Sequence, residues 1–227
     1  MSDFTKLVIF DCDGTLVDSQ HMIIGAMHET FASMGVAPVT DGAVRSIVGL
    51  SLEEAISQLL PDVELAHLIE LVAAYKQTFY RLRVEQEAGP DPLYKGTREV
   101  LTSLNDAGYL LGVATGNSRR GLDRVIKEHD LGGLFVTLQT ADGHPSKPHP
   151  SMIHTAIAEA GSCPEHTIMV GDTSYDMLMS VRAGSHALGV DWGYHHEDEL
   201  LSAGAKHIAS HYDEVPALVK SWIGEAA

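Results

Sequence analysis

The sequence predicts an α/β protein in which a parallel sheet carries helices on both faces and an all-α domain is inserted after the first strand. Short apolar runs such as Leu7–Phe10, Leu110–Ala114 and Thr167–Val170 alternate with segments of helical spacing over most of the chain. Strands that alternate with helices imply βα units around a parallel sheet. Residues 18–87 show helical spacing alone, so a helical unit separates the first strand from its partners.

The first strand and the insert are indicated by apolar spacing and by residues that begin or end helices. Leu7–Phe10 is a continuous apolar run, which fits a strand buried on both faces. In the insert, Ser19 and Asp62 are candidate N-caps of two long helices, and a shorter helix is predicted over Ser51–Leu60. Gly89–Pro92 then ends the helical pattern, because glycine and proline interrupt regular structure.

The rest of the chain supplies the remaining strands of the sheet. They are predicted at Leu110–Ala114, Phe135–Leu138, Thr167–Val170 and Ala187–Val190. Helices are predicted between these strands, and a last helix is predicted near residues 215–222. The sequence therefore predicts a Rossmann-like core formed by residues 1–17 and 88–227, with residues 18–87 inserted as a helical cap.

Composition restricts the function. The formal net charge of −16 repels phosphate backbones, so we expect no nucleic-acid partner, and an anionic substrate requires a local site that inverts this field. The two cysteines are too few for a disulfide framework, which indicates a reducing compartment. We find neither a signal-peptide core nor an apolar run long enough to cross a membrane. The protein is expected to be a cytoplasmic monomer.

Four polar segments follow predicted strands, at residues 11–15, 115–117, 146–148 and 171–176. The carboxyl ends of parallel strands converge on one crevice, where ligands bind. Asp11, Asp13 and Asp172 are therefore expected to lie together, although clustered carboxylates repel one another. Lys147 and a hard divalent cation offset that repulsion, and oxygen ligands without His or Cys favour Mg²⁺. The sequence thus predicts a magnesium site that also binds a phosphate group.

These residue types favour phosphoryl transfer. Asp11 is the candidate nucleophile, and Asp13, two residues further on, is the candidate acid and base. Lys147 is the third candidate catalytic residue, because it offsets charge on the transferring group. Candidate substrate-binding residues are Thr15, Thr115, Gly116, Asn117 and, in the insert, Arg45, for which the alternative is a solvated surface arginine. Arg83 is expected at an exposed helix end.

The segments DCDGTLVDS, ATGN, SKPHP and GDTSYD resemble, in that order, the four motifs of the haloacid dehalogenase-like superfamily of phosphohydrolases. The resemblance covers essentially the whole chain, and the insert is similar to that family's small helical cap. It implies an aspartyl-phosphate on Asp11 and Mg²⁺ held by the side chains of Asp11 and Asp172 and the backbone carbonyl of Asp13. It also implies that Asp176 lies behind these ligands, facing Lys147 or a metal-bound water.

Within that superfamily, the motifs resemble those of phosphatases that act on a small phosphorylated metabolite, such as phosphoglycolate phosphatases. Asp13 disagrees with dehalogenases and with phosphonate-cleaving members, which carry other residues at this position. The mutases similar to β-phosphoglucomutase tend to have Glu-Asp where this chain has Gly171-Asp172, and they lack the later acid, Asp176. A phosphosugar mutase remains the alternative enzyme. A catalytically silent binding protein is the third hypothesis, although such a chain is expected to lose the nucleophile or the lysine.

Overall fold

The computed structural model describes residues 5–85 and 89–226, and its centre is one six-stranded sheet. The strands are β1 Leu7–Phe10, β2 Leu110–Thr115, β3 Phe135–Thr140, β4 Thr167–Gly171, β5 His186–Val190 and β6 His207–Ala209. Their spatial order is β3-β2-β1-β4-β5-β6, and every neighbouring pair is parallel. The strand order reverses between β1 and β4, so the carboxyl ends of these two strands flank the crevice in which ligands bind.

Ten helices are described. They are α1 Gln20–Ser33, α2 Asp41–Arg45, α3 Leu52–Leu59, α4 Leu65–Glu85, α5 Thr97–Asp106, α6 Arg119–Glu128, α7 Ser151–Ala160, α8 Ser174–Ala183, α9 Glu197–Ser202 and α10 Val215–Ile223. None of the helices in the described ranges combines the length and the apolar character needed to cross a membrane.

Both faces of the sheet are covered, because side chains alternate along each strand. Val8 and Phe10 of β1 lie in a core with residues of α5 and α10. Leu7 and Ile9 point to the other face, where they pack in a core with residues of α7 and α8. The predicted parallel sheet with helices on both faces is therefore confirmed.

Most predicted elements are present, with corrected ends. The helix predicted after Asp62 begins only at Leu65, so Asp62 lies too far upstream to be its N-cap. Ser19 does occupy the N-cap position of α1, but its side chain makes no capping hydrogen bond. The short elements α2, α9 and β6 were not predicted, because they contain too few residues to show a periodic pattern.

Residues 20–85 contain α1 to α4 and no strand among the described positions, as predicted. These helices have a core of their own, in which Met27, Phe31, Ile56 and Leu71 are fully or almost fully buried. The chain enters and leaves this segment side by side, since the Asp18 amide donates to the Pro92 carbonyl at 2.9 Å. The predicted boundary at 87/88 lies outside the described residues, so the division into two domains stays a prediction.

The helical segment packs directly on the carboxyl edge of the sheet. The Ser51 amide donates to the Ser146 hydroxyl at 2.9 Å. A Cβ atom on Gly116 would lie closer than 3.0 Å to the carbonyl oxygens of Gly49 and Leu50. Gly116 therefore has a packing role here, because only a residue without a side chain permits this approach.

We predict that Gly116→Ala lowers the free energy of unfolding by about 1–3 kcal/mol, since two backbone carbonyls must move to admit the added methyl group. Equilibrium denaturation measures the change. Gly25→Ala is the matched control, because Gly25 lies in α1 with no atom near the position of an added Cβ. That control is expected to stabilise the protein by about 0.5–1 kcal/mol. Equal stability of Gly116→Ala and wild type would contradict the close packing.

Candidate active site

Asp11 follows β1 directly, and its side chain is completely buried. Its Oδ1 atom forms an ion pair with Lys147 Nζ at 2.9 Å and accepts a hydrogen bond from the Cys12 amide at 2.6 Å. Its Oδ2 atom is buried with no hydrogen-bond partner among the described residues. Burial raises the pKa of Asp11 well above its usual value, and Lys147 opposes this effect. One oxygen is thus fixed by the protein, and the other is left for a ligand.

Lys147 is buried between two acids. Its Nζ atom lies 2.9 Å from Asp11 Oδ1 and 2.7 Å from Asp176 Oδ1. Burial by itself lowers the pKa of Lys147, but Asp11 and Asp176 outweigh it and raise that pKa above its usual value. Lys147 therefore stays charged and joins the segment after β3 to the acids that follow β1 and β4.

Asp176 is held at the start of α8. Its Oδ2 atom accepts hydrogen bonds from the Thr173 hydroxyl at 2.7 Å and from the Thr173 amide at 3.1 Å. Thr173 is the N-cap of this helix, and the two residues form a capping box. Since Oδ1 of Asp176 is bound to Lys147, both carboxylate oxygens are engaged within the protein. This agrees with the position facing Lys147 that the resemblance implies.

Asp172 is the fully buried acid after β4. Its Oδ1 atom accepts a hydrogen bond from the Thr15 hydroxyl at 2.7 Å, and its Oδ2 atom accepts one from the Tyr194 amide at 3.0 Å. Burial, followed by the charge of Asp176, raises the pKa of Asp172 to about 7. Tyr194 was not predicted as a site residue, because nothing in its local sequence distinguishes it from other loop residues.

Two glycines let the backbone approach Asp172. Gly14 has a φ of +89°, and a Cβ atom there would lie closer than 3.0 Å to the Asp172 carboxylate. A Cβ atom on Gly193 would lie equally close to Asp172. Gly14 therefore satisfies both a left-handed backbone and a steric requirement. Gly193 belongs to a loop to which sequence analysis assigned no function.

Three acids lie close enough together to bind one cation. Asp11, Asp172 and Asp176 each place one carboxylate oxygen within 4.8 Å of the others. One lysine leaves two negative charges uncompensated when all three acids are ionised, which matches one divalent cation. The unpartnered Asp11 Oδ2 and the all-oxygen donor set fit Mg²⁺. The carboxylate of Asp13, which was predicted to bind metal only through its backbone carbonyl, lies outside this cluster.

Asp13 is held by two neutral donors. Its Oδ1 atom accepts a hydrogen bond from the Ser19 hydroxyl at 2.6 Å, and its Oδ2 atom accepts one from Asn117 Nδ2 at 3.1 Å. The Thr115 hydroxyl accepts from the Asn117 amide at 3.1 Å, which shapes this turn after β2. The structure therefore brings Asn117 and Thr115 to the site as predicted, and it adds Ser19 as a further partner of Asp13.

Two candidate substrate-binding residues are placed elsewhere. The Thr15 hydroxyl is buried and directed at Asp172, so its observed contact orients that acid. Arg45 Nε donates to Gln20 Oε1 at 3.2 Å, and Arg45 is not among the residues that line the cavity described below. The expected contact between Arg45 and a substrate has no support in this arrangement.

One cavity of about 710 Å³ opens above the acids. Asp11, Asp13, Thr115, Gly116 and Asn117 line its sheet side, and residues of α1, α3, α4, α6 and the loop between α2 and α3 line most of the remainder. Arg83 also lines it, with its side chain only 8% exposed and paired with Asp91. The expectation of an exposed helix end at Arg83 is therefore wrong, because the end of α4 folds against residues 89–93 and α6.

The carboxylate cluster and its buried lysine lie at the switch point of a parallel sheet, next to the cavity. α/β enzymes bind charged ligands at this place in the fold. The described acids come from segments more than 150 residues apart, so this arrangement depends on the whole fold.

Comparisons with known proteins place the chain among such enzymes. The family model described as "Haloacid dehalogenase-like hydrolase" matches residues 8–190. "Probable phosphatase IndB" of Dickeya dadantii strain 3937 is 36% identical over 212 residues, which cover 92% of this chain and 91% of that protein. "Phosphoglycolate phosphatase" of Vibrio vulnificus strain YJ016 is 28% identical over 216 residues, with 90% and 91% covered.

A solved structure from the same family has a similar fold. A haloacid dehalogenase-like family hydrolase from Streptococcus pneumoniae has a TM-score of 0.81 and 26% identity, and the match covers 96% of this chain and 99% of that one. The chain belongs to the haloacid dehalogenase-like hydrolase family, as its four motifs predicted.

We predict that Mg²⁺ raises the melting temperature of the protein, because an ion that binds only the folded state stabilises it. Asp172→Asn is expected to remove most of that increase, which differential scanning calorimetry with and without Mg²⁺ measures. Asp62→Asn is the control, since Asp62 lies on an exposed turn, and it is expected to keep the full increase. The same increase in Asp172→Asn as in wild type would place the ion elsewhere.

We predict that the Thr15 hydroxyl, which donates to Asp172, strengthens Mg²⁺ binding. Thr15→Val keeps the shape of the side chain but removes the hydroxyl that donates to Asp172. Loss of a hydrogen bond that orients a metal ligand commonly weakens metal binding by roughly 10–100-fold, so we expect a decrease of that size in Mg²⁺ affinity. Isothermal titration measures it. Thr15→Ser restores the hydroxyl and is expected to restore the affinity, and equal affinity of the Val and Ser variants would contradict this role.

Proposed function

We propose that this protein is a Mg²⁺-dependent phosphomonoester hydrolase that acts on a phosphorylated metabolite through an aspartyl-phosphate intermediate. The observation that carries the proposal is Asp11, which lines the cavity: its Oδ1 is held by Lys147, while its Oδ2 has no hydrogen-bond partner in the part of the chain that the structure describes. Phosphoglycolate is the first substrate to assay, since the Vibrio vulnificus relative carries that name. The free thiols of Cys12 and Cys163 support a cytoplasmic location.

In the first step, Asp11 Oδ2 attacks the phosphorus atom, and the bond from phosphorus to the ester oxygen breaks. Asp13 gives its proton to the departing alkoxide, which leaves as a neutral alcohol. Ser19 suits this role of Asp13, because a hydroxyl donates to the ionised acid and accepts from the protonated one.

In the second step, a water molecule attacks the phosphorus atom of the aspartyl-phosphate. Asp13, now ionised, takes the proton of that water, and the bond from phosphorus to Asp11 Oδ2 breaks. Inorganic phosphate leaves, and both acids return to their starting states. The hydrogen bonds from Ser19 and Asn117 keep the Asp13 carboxylate beside the cavity in both steps.

Charge has to be balanced for an anionic phosphate to approach these acids. Bound Mg²⁺ would supply two positive charges there, held by the side chains of Asp11 and Asp172 and the backbone carbonyl of Asp13, and it would screen the nucleophile from the phosphate. Lys147 favours the ionised form of Asp11 against the effect of burial, and it fixes the orientation of that carboxylate. Asp176 holds Lys147 in place from the other side.

We propose that residues 18–87 act as a cap over this site. The segment has its own apolar core, and it contributes many of the residues that line the cavity. Closing such a cap excludes bulk water, and opening it releases products. The proposed hinges lie at residues 16–19, where the chain leaves the core, and at residues 87–92, of which positions 87 and 88 are outside the described residues.

We predict that Asp11→Asn reduces phosphate release to background and that Asp13→Asn reduces kcat by roughly 10²–10⁴-fold, because the first change removes the nucleophile and the second removes the acid and base. Release of inorganic phosphate from 2-phosphoglycolate and a panel of phosphate esters, with and without Mg²⁺, measures both. Acid-quench mass spectrometry is expected to find a phosphoryl group on the peptide that contains Asp11.

Asp191→Asn is the control for these variants, since Asp191 binds the Ser210 hydroxyl and does not line the cavity. Wild-type turnover in Asp11→Asn would contradict the mechanism. Isomerised sugar phosphate in place of free phosphate would identify the mutase alternative. Tight binding of a phosphate ester without any release would identify a binding protein.

A further inference from the structure

The cavity has two chemically different sides. Its sheet side carries the acids, but the residues that the helical segment contributes are mainly apolar or aromatic, with Lys76 and Arg83 as the charged exceptions. Large apolar or aromatic contributors include Ile23, Met27, Ile47, Leu52, Tyr75 and Phe79. An apolar wall of this kind gives a phosphate group nothing to bind, so its partner is the organic part of a substrate.

The size of the cavity supports the same reading. Cavities of roughly 300–1,000 Å³ bury most of the surface of a drug-sized ligand, and this one measures about 710 Å³. A two-carbon acid such as the organic part of phosphoglycolate would leave most of the apolar wall without contact.

Three arginines that line the cavity lie over aromatic rings. The guanidinium groups of Arg83 and Arg124 lie 5.5 and 5.6 Å from the centre of the Phe79 ring, and that of Arg120 lies 5.0 Å from the centre of the Tyr80 ring. Arg83 is paired with Asp91 and Arg124 with Glu128, so the positive charge of these two groups is balanced within the protein, and their flat surfaces are what they offer a ligand. Flat guanidinium groups and aromatic rings at this place suit the aromatic ring of a substrate.

We propose that the substrate is the phosphate monoester of a bulky alcohol with a flat, apolar body that packs against α1 and α4. This inference rests on the proposed phosphatase activity and adds the class of substrate. Phe79 is assigned as a specificity-determining residue, because it lines the cavity and lies beneath two guanidinium groups. Ile23 lines the same cavity from α1 and is assigned the same role.

The test compares two primary alkyl phosphates with the same leaving-group chemistry, ethyl phosphate and 2-phenylethyl phosphate. Burial of the phenyl ring is expected to raise kcat/KM by about 10–100-fold for the second ester. 2-Phosphoglycolate is assayed beside them and is expected to be hydrolysed less efficiently than 2-phenylethyl phosphate. Mg²⁺ is present throughout.

Substitutions in the cavity wall test which residues cause the preference for 2-phenylethyl phosphate over ethyl phosphate. Phe79→Ala is expected to bring the ratio of the two kcat/KM values close to one, and Ile23→Ala provides the same test from α1 should the first variant not fold. Ile69→Ala is the matched control on α4, because Ile69 is exposed and does not line the cavity, and it is expected to keep the wild-type ratio.

The outcomes separate the two proposals. Equal kcat/KM for the two alkyl esters, or a clear preference for 2-phosphoglycolate, would overturn the bulky substrate and leave the phosphatase intact. An unchanged ratio in both Phe79→Ala and Ile23→Ala would likewise overturn it. Release of phosphate from none of the esters would overturn the proposed function, and this inference with it.

Discussion

The structure of the site depends on one buried cation shared by two buried acids. Lys147 contacts Asp11 and Asp176 at once, and no solvent reaches any of the three side chains to an appreciable extent. Breaking such a group by removing one partner commonly costs about 3–5 kcal/mol, because a charge is left buried without compensation. The lysine therefore ties the acid that follows β1 to the acid in the first turn of α8, and it leaves the other oxygen of Asp11 available.

The fold makes this arrangement possible through the order of its strands. The chain begins in the middle of the sheet, builds outwards to β3, and returns to β4 on the other side of β1. Asp11 and Asp172 follow these adjacent strands, although 160 residues separate them along the chain. Close approach then requires Gly14 and Gly193, whose missing side chains admit the Asp172 carboxylate. The clustering of the acids therefore depends on close backbone packing at these two glycines.

The sequence predicted the sheet, the helical insert and the group of acids, because apolar runs and polar strand ends are local signals. It did not predict Ser19 as a partner of Asp13 or Tyr194 as a partner of Asp172, since both contacts join residues through loops whose path only the folded chain defines. The contacts of Arg83 were also not predictable from the local sequence. Its charge indicated solvent, but the end of α4 turns it towards Asp91 and the ring of Phe79.

The sheet side of the cavity is held together by hydrogen bonds and ion pairs, whereas the side formed by the helical insert is mainly apolar. Around Asp11 and Asp172, nearly every polar atom is bound to another part of the core, so a substitution there disturbs several contacts together. The apolar side chains of the insert make no hydrogen bonds that the acids depend on, and one of the close contacts between the two halves involves backbone carbonyls above Gly116. Substitutions on α1 and α4 can therefore alter which organic group fits while the phosphoryl-transfer geometry stays unchanged. Substrate choice in this protein is for that reason expected to reside in the insert and the reaction in the core.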